Sequence, residues 1–213
     1  LYWMARYMER AENTARMLDV NYQTALLPLT AEEAEQGWRG LLSISELTWA
    51  FSERYPDYGG ANVMRFMVSD DANPSSIASC LRAARENARA VRGTLTTEVW
   101  ETQNQTWLEF QRMLRERDFT RDPSTLFEWV KFRSHLSRGV TVGTMLQDEA
   151  LHFLRIGTFL ERADNTARLL DVKFQSLAGD FFGSGAKEQE IDFYHWSAVL
   201  RSVSGFEVYR KVY

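Results

Sequence analysis

A single cysteine, Cys80, among 213 residues rules out an intrachain disulfide and, with no signal peptide in view, points to a reducing, cytoplasmic setting. Histidine is almost as scarce, three in all, which argues against a metal centre. No apolar run approaches the roughly 18 residues that a membrane span needs, so no membrane partner is expected. Positive charge is not in excess: the formal net charge is −4 and the pI near 5.5, which disfavours binding driven by nucleic-acid phosphates. Four prolines, twelve glycines and 45% hydrophobic residues fit an ordinary globular domain with a real core. A starting Met is also missing, and the chain opens in mid-pattern as "LYWMARY". Its natural N-terminus is therefore expected to have been removed.

What is present is helical periodicity. Leu1–Leu27 places Met4, Tyr7, Met8, Ala11, Ala15, Leu18 and Tyr22 on one side at 3.6-residue spacing, and Pro28 ends the run. Thr30 and Glu33 form a capping box for a second helix reaching about Arg54, and "YPDYGG" is a loop before a short helix or link in "ANVMRFMVSDD". Pro74 marks the first turn of a third helix that runs to about Gly93. A fourth spans Thr96 or Thr97 to about Arg117, and a fifth starts at Asp122 and ends near Gly139. From about Thr144 to Leu177 the periodicity scarcely breaks. "AGDFFGSGAKE" reads as a loop, and Ile191 onward as helix. No alternating strand pattern is found, so the fold class is all-α, a multi-helix bundle.

The chain also writes one helix twice. Tyr7–Gln23 laid on Phe159–Gln175, an offset of 152, gives 11 identities in 17 positions, seven of them polar. Each copy is followed by a tryptophan-led segment in which Trp38 matches Trp196, Leu42 matches Leu200, Phe51 matches Tyr209 and Tyr55 matches Tyr213. The reading is an internal duplication within one domain, a first repeat over about 1–150 and a second over about 151–213 that stops short, the halves related by a pseudo-twofold. The chain is thus expected to be a fragment of a longer protein.

At about 100° per residue, Glu9, Asn13, Arg16 and Gln23 fall in one strip opposite the apolar face, flanked by Glu12 and Asp19. Glu161, Asn165, Arg168 and Gln175, flanked by Asp164 and Asp171, form its counterpart, with Arg10 and Arg162 to the side. Three accounts stand open. The strips are solvated faces laced by i,i+4 pairs, a buried ion-pair and amide network that docks the halves, or a groove in which arginines bind a carboxylate or phosphate. Polar letters that drift less than their surroundings between the copies weigh against the first.

Other constellations are weaker. Arg82, Arg85, Glu86, Arg89 and Arg92 line one face of the third helix and read as ordinary charge pairing, with an anion site as the alternative. Glu149 and His152 have the i,i+3 spacing of a di-iron helix, but a second Glu-x-x-His is lacking; "DFYH" at Asp192 is a loose echo, and His152 reads as an interface or core histidine. Cys80 reads as a buried structural thiol. Trp3, Trp100 and Trp107 read as packing or as the lining of an interhelical groove. "GSG" at Gly183 lacks the spacing and ending of a phosphate loop, and no cofactor is implied.

Three long stretches, "LYWMARYMERAENTARMLDV", "NPSSIASCLRAARENARAVRG" and "MLQDEALHFLRIGTFLERADNTARLLDV", occur in order and together resemble the bacterial alpha-E family, an all-helical domain named for a Glu-Arg motif. The resemblance covers the whole chain and implies no established reaction. It implies company: family members are often encoded beside or fused to a circularly permuted ATP-grasp protein and near a transglutaminase-like peptidase, which suggests peptide or amide chemistry. The matched positions are Glu9, Arg10, Glu161, Arg162, Asp148, Glu149 and the run Arg85, Glu86, Asn87, Arg89 and Arg92.

The leading expectation is an accessory module that binds a peptide or acidic small molecule for an ATP-grasp-type amide-forming partner. The rivals are an enzyme using Glu9, Glu161 or Glu149 with Arg10, Arg162 or Arg85, and a structural scaffold or dimerisation module, a homo-oligomer. Burial separates them: strips sealed between helices favour structure, and strips opening on a concave pocket favour binding.

Overall fold

The computed structural model describes residues 1–28, 30–116, 118–180 and 196–213, and the side chains of 173–180 lie outside the description. All regular elements among the described residues are helical. The first helix, α1 (Tyr2–Ala25), is the axle. Its apolar stripe packs on α5 (Ile77–Ala90), where Ala11 and Ala15 share one cluster with Cys80, and Met4 and Ala5 share another with Ala84 and Ala88. Its charged strip is buried too, against α7 (Pro123–Thr144) and α8 (Glu149–Asp180). The strip is therefore not a solvent face.

Around this axle α2 (Ala31–Ile44) leans on α1, α8 and α4 (Gly60–Val68), and α6 (Thr97–Glu116) bridges α5 and α7. The larger apolar cluster holds Leu18, Leu42, Phe51, Phe66, Phe110 and Phe127 under α2 and α4, each side chain contributing roughly 1.5–3 kcal/mol by leaving water. A smaller one, with Met4, Ala88, Val99, Leu151 and Leu154, fills the far end of α1. Where α1 and α8 cross, the backbones nearly touch: a Cβ added at Gly157 would lie 2.3 Å from the Tyr2 carbonyl oxygen and 3.1 Å from the Ala5 Cβ. Only glycine fits there.

Several boundaries differ from the sequence reading, each for a local reason. The second helix does not reach Arg54. It stops after Ile44, with its Thr30/Glu33 capping box in place, and Thr48–Ser52 forms a separate short helix, α3. The break is Glu46, whose φ of 56° ends α2 in a Schellman motif: Glu46 N–H donates to the Ser43 carbonyl at 3.0 Å and Leu47 N–H to that of Leu42 at 2.9 Å. Pro74 precedes α5 rather than entering its first turn, and the Ser76 hydroxyl is the cap, accepting from Ser79 N–H. A short 3-10 turn, Arg92–Thr94, takes the place of a Gly93 cap. The fifth helix runs past Gly139 to Thr144, because both Gly139 and Gly143 face open space. α8 is a single helix to Asp180, beyond the point at which a loop was expected. The rest of that loop and the expected start at Ile191, with Gly183 and the "DFYH" segment, lie outside the described residues, as does the Gln175 side chain. Residues 196–202 are helical, followed by α9 (Phe206–Val212).

The second helix end repeats the first. Ser204 has φ 59°, its N–H donates to the Arg201 carbonyl at 3.2 Å, and Gly205 N–H donates to that of Leu200 at 2.7 Å. Ser204 and Glu46, 158 positions apart, are the two non-glycine residues with positive φ among those described. The ring pair two turns on is repeated as well: Phe51 and Tyr55 stack at 4.9 Å, and Tyr209 and Tyr213 meet at 5.2 Å. A left-handed residue bearing a Cβ is strained by about 1 kcal/mol. Glu46→Gly and Ser204→Gly are each expected to stabilise the fold by up to about 1 kcal/mol, read as a higher urea midpoint.

Candidate functional site: a reciprocal Glu–Arg latch and its cleft

Glu9 and Arg10 stand on α1 with side chains directed to α8, and Glu161 and Arg162 stand on α8 directed back. Arg162 holds Glu9 through Nε at 2.9 Å and Nη2 at 3.3 Å. Arg10 holds Glu161 through Nε at 2.5 Å and Nη2 at 3.0 Å. Each is a two-pronged guanidinium–carboxylate pair made with the same two nitrogens. A third donor then lands on Oε2 of each acid: Arg138 of α7 on Glu9 at 2.8 Å, and Arg6 on Glu161 at 2.6 Å. Both carboxylates are almost wholly buried, at 3% and 4% exposure. The centre of each strip is thus buried between helices, whereas Gln23 at the end of one and Asp171 at the end of the other are exposed.

Glu12 extends the network. It takes Arg16 at 2.7 Å on one oxygen and Arg138 at 2.5 Å on the other. Burial alone would raise its pKa, but Arg138, Ser134 and Arg16 outweigh burial and hold it at about 2. The Glu161 hydrogen bond, acting against burial, raises Arg10, and Glu9 does the same for Arg162. Five arginines (6, 10, 16, 138 and 162) thus surround three buried glutamates, and the cluster carries a positive surplus. Arg168 turns to Asp164 at 3.2 Å, an i,i+4 pair like that of Glu12 and Arg16, and to Glu46 at 2.7 Å.

The seal is incomplete on one side. Between α1, α8 and the end of α2 lies a cleft of about 170 Å3, bordered by Arg10, Asn13, Glu161, Asp164, Asn165 and Arg168. Ser45 and Glu46, presented by the left-handed turn, and Ser75 before α5 form its other wall. Asn13 is buried, and its Nδ2 has no hydrogen-bond partner. A buried amide donor left unpaired costs about 1–3 kcal/mol. It is the feature here that asks for a ligand.

The remaining sequence candidates lie elsewhere. Arg85 bonds Asn104 Oδ1 at 2.8 Å and pairs with Glu86, and Arg82 and Arg89 also find acids nearby. Asn87 donates to the Ala83 carbonyl of its own helix. This is the ordinary pairing anticipated for that face. Asp148 caps α8 by accepting from Leu151 N–H, and Glu149 lies in the first turn. His152 is neither core nor buried interface but exposed. No group of three metal-ligating side chains is found among the described residues. Cys80 is buried and its pKa pushed up to about 12 by burial, so it remains a thiol. Trp3 and Trp100 sit under arginines, Arg6 and Arg92 respectively. Two essential arginines escaped the sequence reading. Arg6 lies one turn before Arg10 and could have been found by spacing; Arg138, on α7 and away from both Glu-Arg segments, left no such signal.

The Alpha-E family, described as a predicted alpha-helical domain with a conserved ER motif, matches residues 1–213. The chain belongs to the Alpha-E family. No curated protein and no solved structure matches it. No helix among the described residues is long and apolar enough to cross a membrane.

In this Alpha-E chain the latch should be read in stability. Glu161→Gln strands Arg6 and Arg10 and is expected to cost about 3–5 kcal/mol. Glu35→Gln, at the exposed Arg39 pair, should cost under about 1 kcal/mol in the same chemical denaturation series. Equal losses would deny the latch its role. Acid should act through Glu12, whose folded pKa lies below its unfolded one: its contribution is complete above about 4.5 and lost as pH falls towards about 2. Glu12→Gln is therefore expected to flatten the fall in thermal midpoint over that window.

Proposed function

We propose that this Alpha-E chain is a non-catalytic binding module of two equivalent helical units. The Glu–Arg latch fixes how the units meet. The cleft beside it receives the carboxylate or carbonyl end of a peptide or acidic small molecule, held for an amide-forming partner of the ATP-grasp type. The observation that carries the reading is the unpaired Asn13 amide, buried in a cleft that also presents Arg10 and Arg168.

Support for two units comes from reciprocity. In a twofold arrangement, if residue i touches j' then j touches i'. Glu9 with Arg162 and Arg10 with Glu161 obey that rule at an offset of 152, and Ala5 and Gly157, also 152 apart, meet at the crossing. The repeated left-handed turns at Glu46 and Ser204 add a backbone feature that side-chain similarity could not produce.

Support for binding over catalysis comes from how the acids are committed. A general acid or base works best with a pKa near the working pH. Glu12 sits at about 2, and the oxygens of Glu9 and Glu161 are already occupied by arginine donors. The cleft, smaller than the roughly 300–1,000 Å3 of pockets for drug-sized ligands, suits one terminus or side chain of a longer molecule. The amide-forming partner rests on the family resemblance, and the carbonyl or carboxylate character of the ligand's end on the Asn13 donor, since Arg10 and Arg168 in the cleft wall are matched by Glu46, Glu161 and Asp164.

Asn13→Leu separates the ligand role from a structural one. It removes an unpaired donor at similar volume, so the thermal midpoint is expected to hold or rise. Binding of glutamate-containing dipeptides, followed by two-dimensional amide NMR, is expected to weaken at least about tenfold, roughly 1.4 kcal/mol. A destabilised variant, or a folded wild type whose cleft resonances ignore every such dipeptide, would sink the proposal.

A further inference from the structure

The two long helices carry the same apolar stripe, but only one is covered. On α1 the stripe is Leu1, Met4, Met8, Ala11, Ala15 and Leu18, and α5 lies along it. At the offset of 152 the α8 residues are Phe153, Ile156, Leu160, Ala163, Ala167 and Leu170, apolar at every position with the same order of large and small. Met4 and Met8 are 2% and 4% exposed; their counterparts Ile156 and Leu160 are 48% and 50% exposed. Ala11 and Ala15 are fully buried, and Ala163 and Ala167 are open. This stripe does not serve the contact with α1, which uses Leu154, Gly157, Glu161 and Asn165 on another side of the helix. Its N-terminal half, with His152, Arg155, Ile156, Phe159 and Leu160, is an open and mostly apolar surface.

A helix face that only meets water has no use for six apolar residues in this order, and an exposed apolar patch of this kind marks an interaction site. The order also specifies what fits. On α1, Ala11, Ala15 and Leu18 share one cluster with Ile77, Cys80 and Leu81 of α5, and Met4 shares the other with Ala84 and Ala88, so the small half of each stripe lies with the large half of its partner. A flat membrane surface or a bulky aromatic partner would leave the alanine half of the stripe unfilled.

We propose that the bare stripe of α8 is the seat of an α5-like helix: an amphipathic helix whose buried face carries two aliphatic side chains one turn apart, then small residues at three- to four-residue spacing, with arginines on its outer side. It is the counterpart in the second unit of the α1–α5 contact, and it rests on the two-unit reading above. Docking it covers the stripe as α5 covers α1 and completes the second unit with the same packing as the first.

The test uses a peptide of residues 75–92, the α5 sequence, stapled between positions 82 and 86 on its outer side so that it is helical in water, added to the 213-residue chain under reducing conditions. Saturable binding is expected, with a photo-crosslinker at position 81 of the peptide captured by α8 between 156 and 170. Leu160→Glu, at an exposed site and so not expected to disturb the fold, should weaken binding at least tenfold, and a peptide carrying Ala84→Glu should not bind. The proposal is overturned if the wild-type chain ignores the peptide or if Leu160→Glu leaves its affinity unchanged. It is also overturned if sedimentation shows a wild-type dimer that Leu160→Glu dissociates, since a second copy would then be the occupant. The two-unit reading is scored separately. If Glu46→Gly and Ser204→Gly, both made in an Arg168→Ala background so that Glu46 has no ion pair to lose, respond alike while the peptide fails, the docking falls and the two units stand; if the glycine pair responds unequally there, the equivalence itself is lost.

Discussion

Two buried carboxylates exchanged between two helices decide this structure. Glu9 and Glu161 are each held by the arginine that follows the other in sequence, so neither helix can satisfy its own Glu-Arg pair. Removing charges from water is costly, and such pairs contribute more to the choice of one geometry than to net stability. Here the choice is the relation of α8 to α1, and through it the position of the cleft. The close approach at Gly157 belongs to the same constraint, since it brings the helices near enough for both guanidinium prongs to reach.

Charge tells α1 where α8 lies, and small apolar residues tell it where α5 lies. The two signals occupy different sides of one helix, which explains how a segment with eleven polar letters buries eleven of its 24 residues. It also gives the polar letters of α1 their reasons: Glu9, Arg10, Asn13 and Arg16 all have specific partners or a specific cleft to face.

Much of this was legible from residues. Helix existence followed from periodicity, the Thr30/Glu33 box was read correctly, and the repeat pointed at the helices that meet. Burial of the strips was not legible, because a lone sequence shows charges at helical spacing and not what they face. The break at Glu46 was hidden because glutamate ordinarily sustains a helix; only the fit of Leu47 back onto the cluster containing Leu42 selects the turn. Gly139 misled in the opposite direction, since a glycine facing open space weakens a helix by about 1 kcal/mol without ending it. Arg138 belongs to no repeated segment, and a long-range partner without a pattern can be found only in three dimensions.

The burial of α1 on two sides, set against the one-sided burial of α8, also gives the molecule an order of opening. Amides of α1 exchange with solvent only when α5, α7 and α8 have all let go, so α1 belongs to the last unit to unfold. α8 needs to release α1 and the end of α2, and its contact with α1 is centred on ionic pairs. An opening that begins at α8 also opens the cleft that α8 shares with α1.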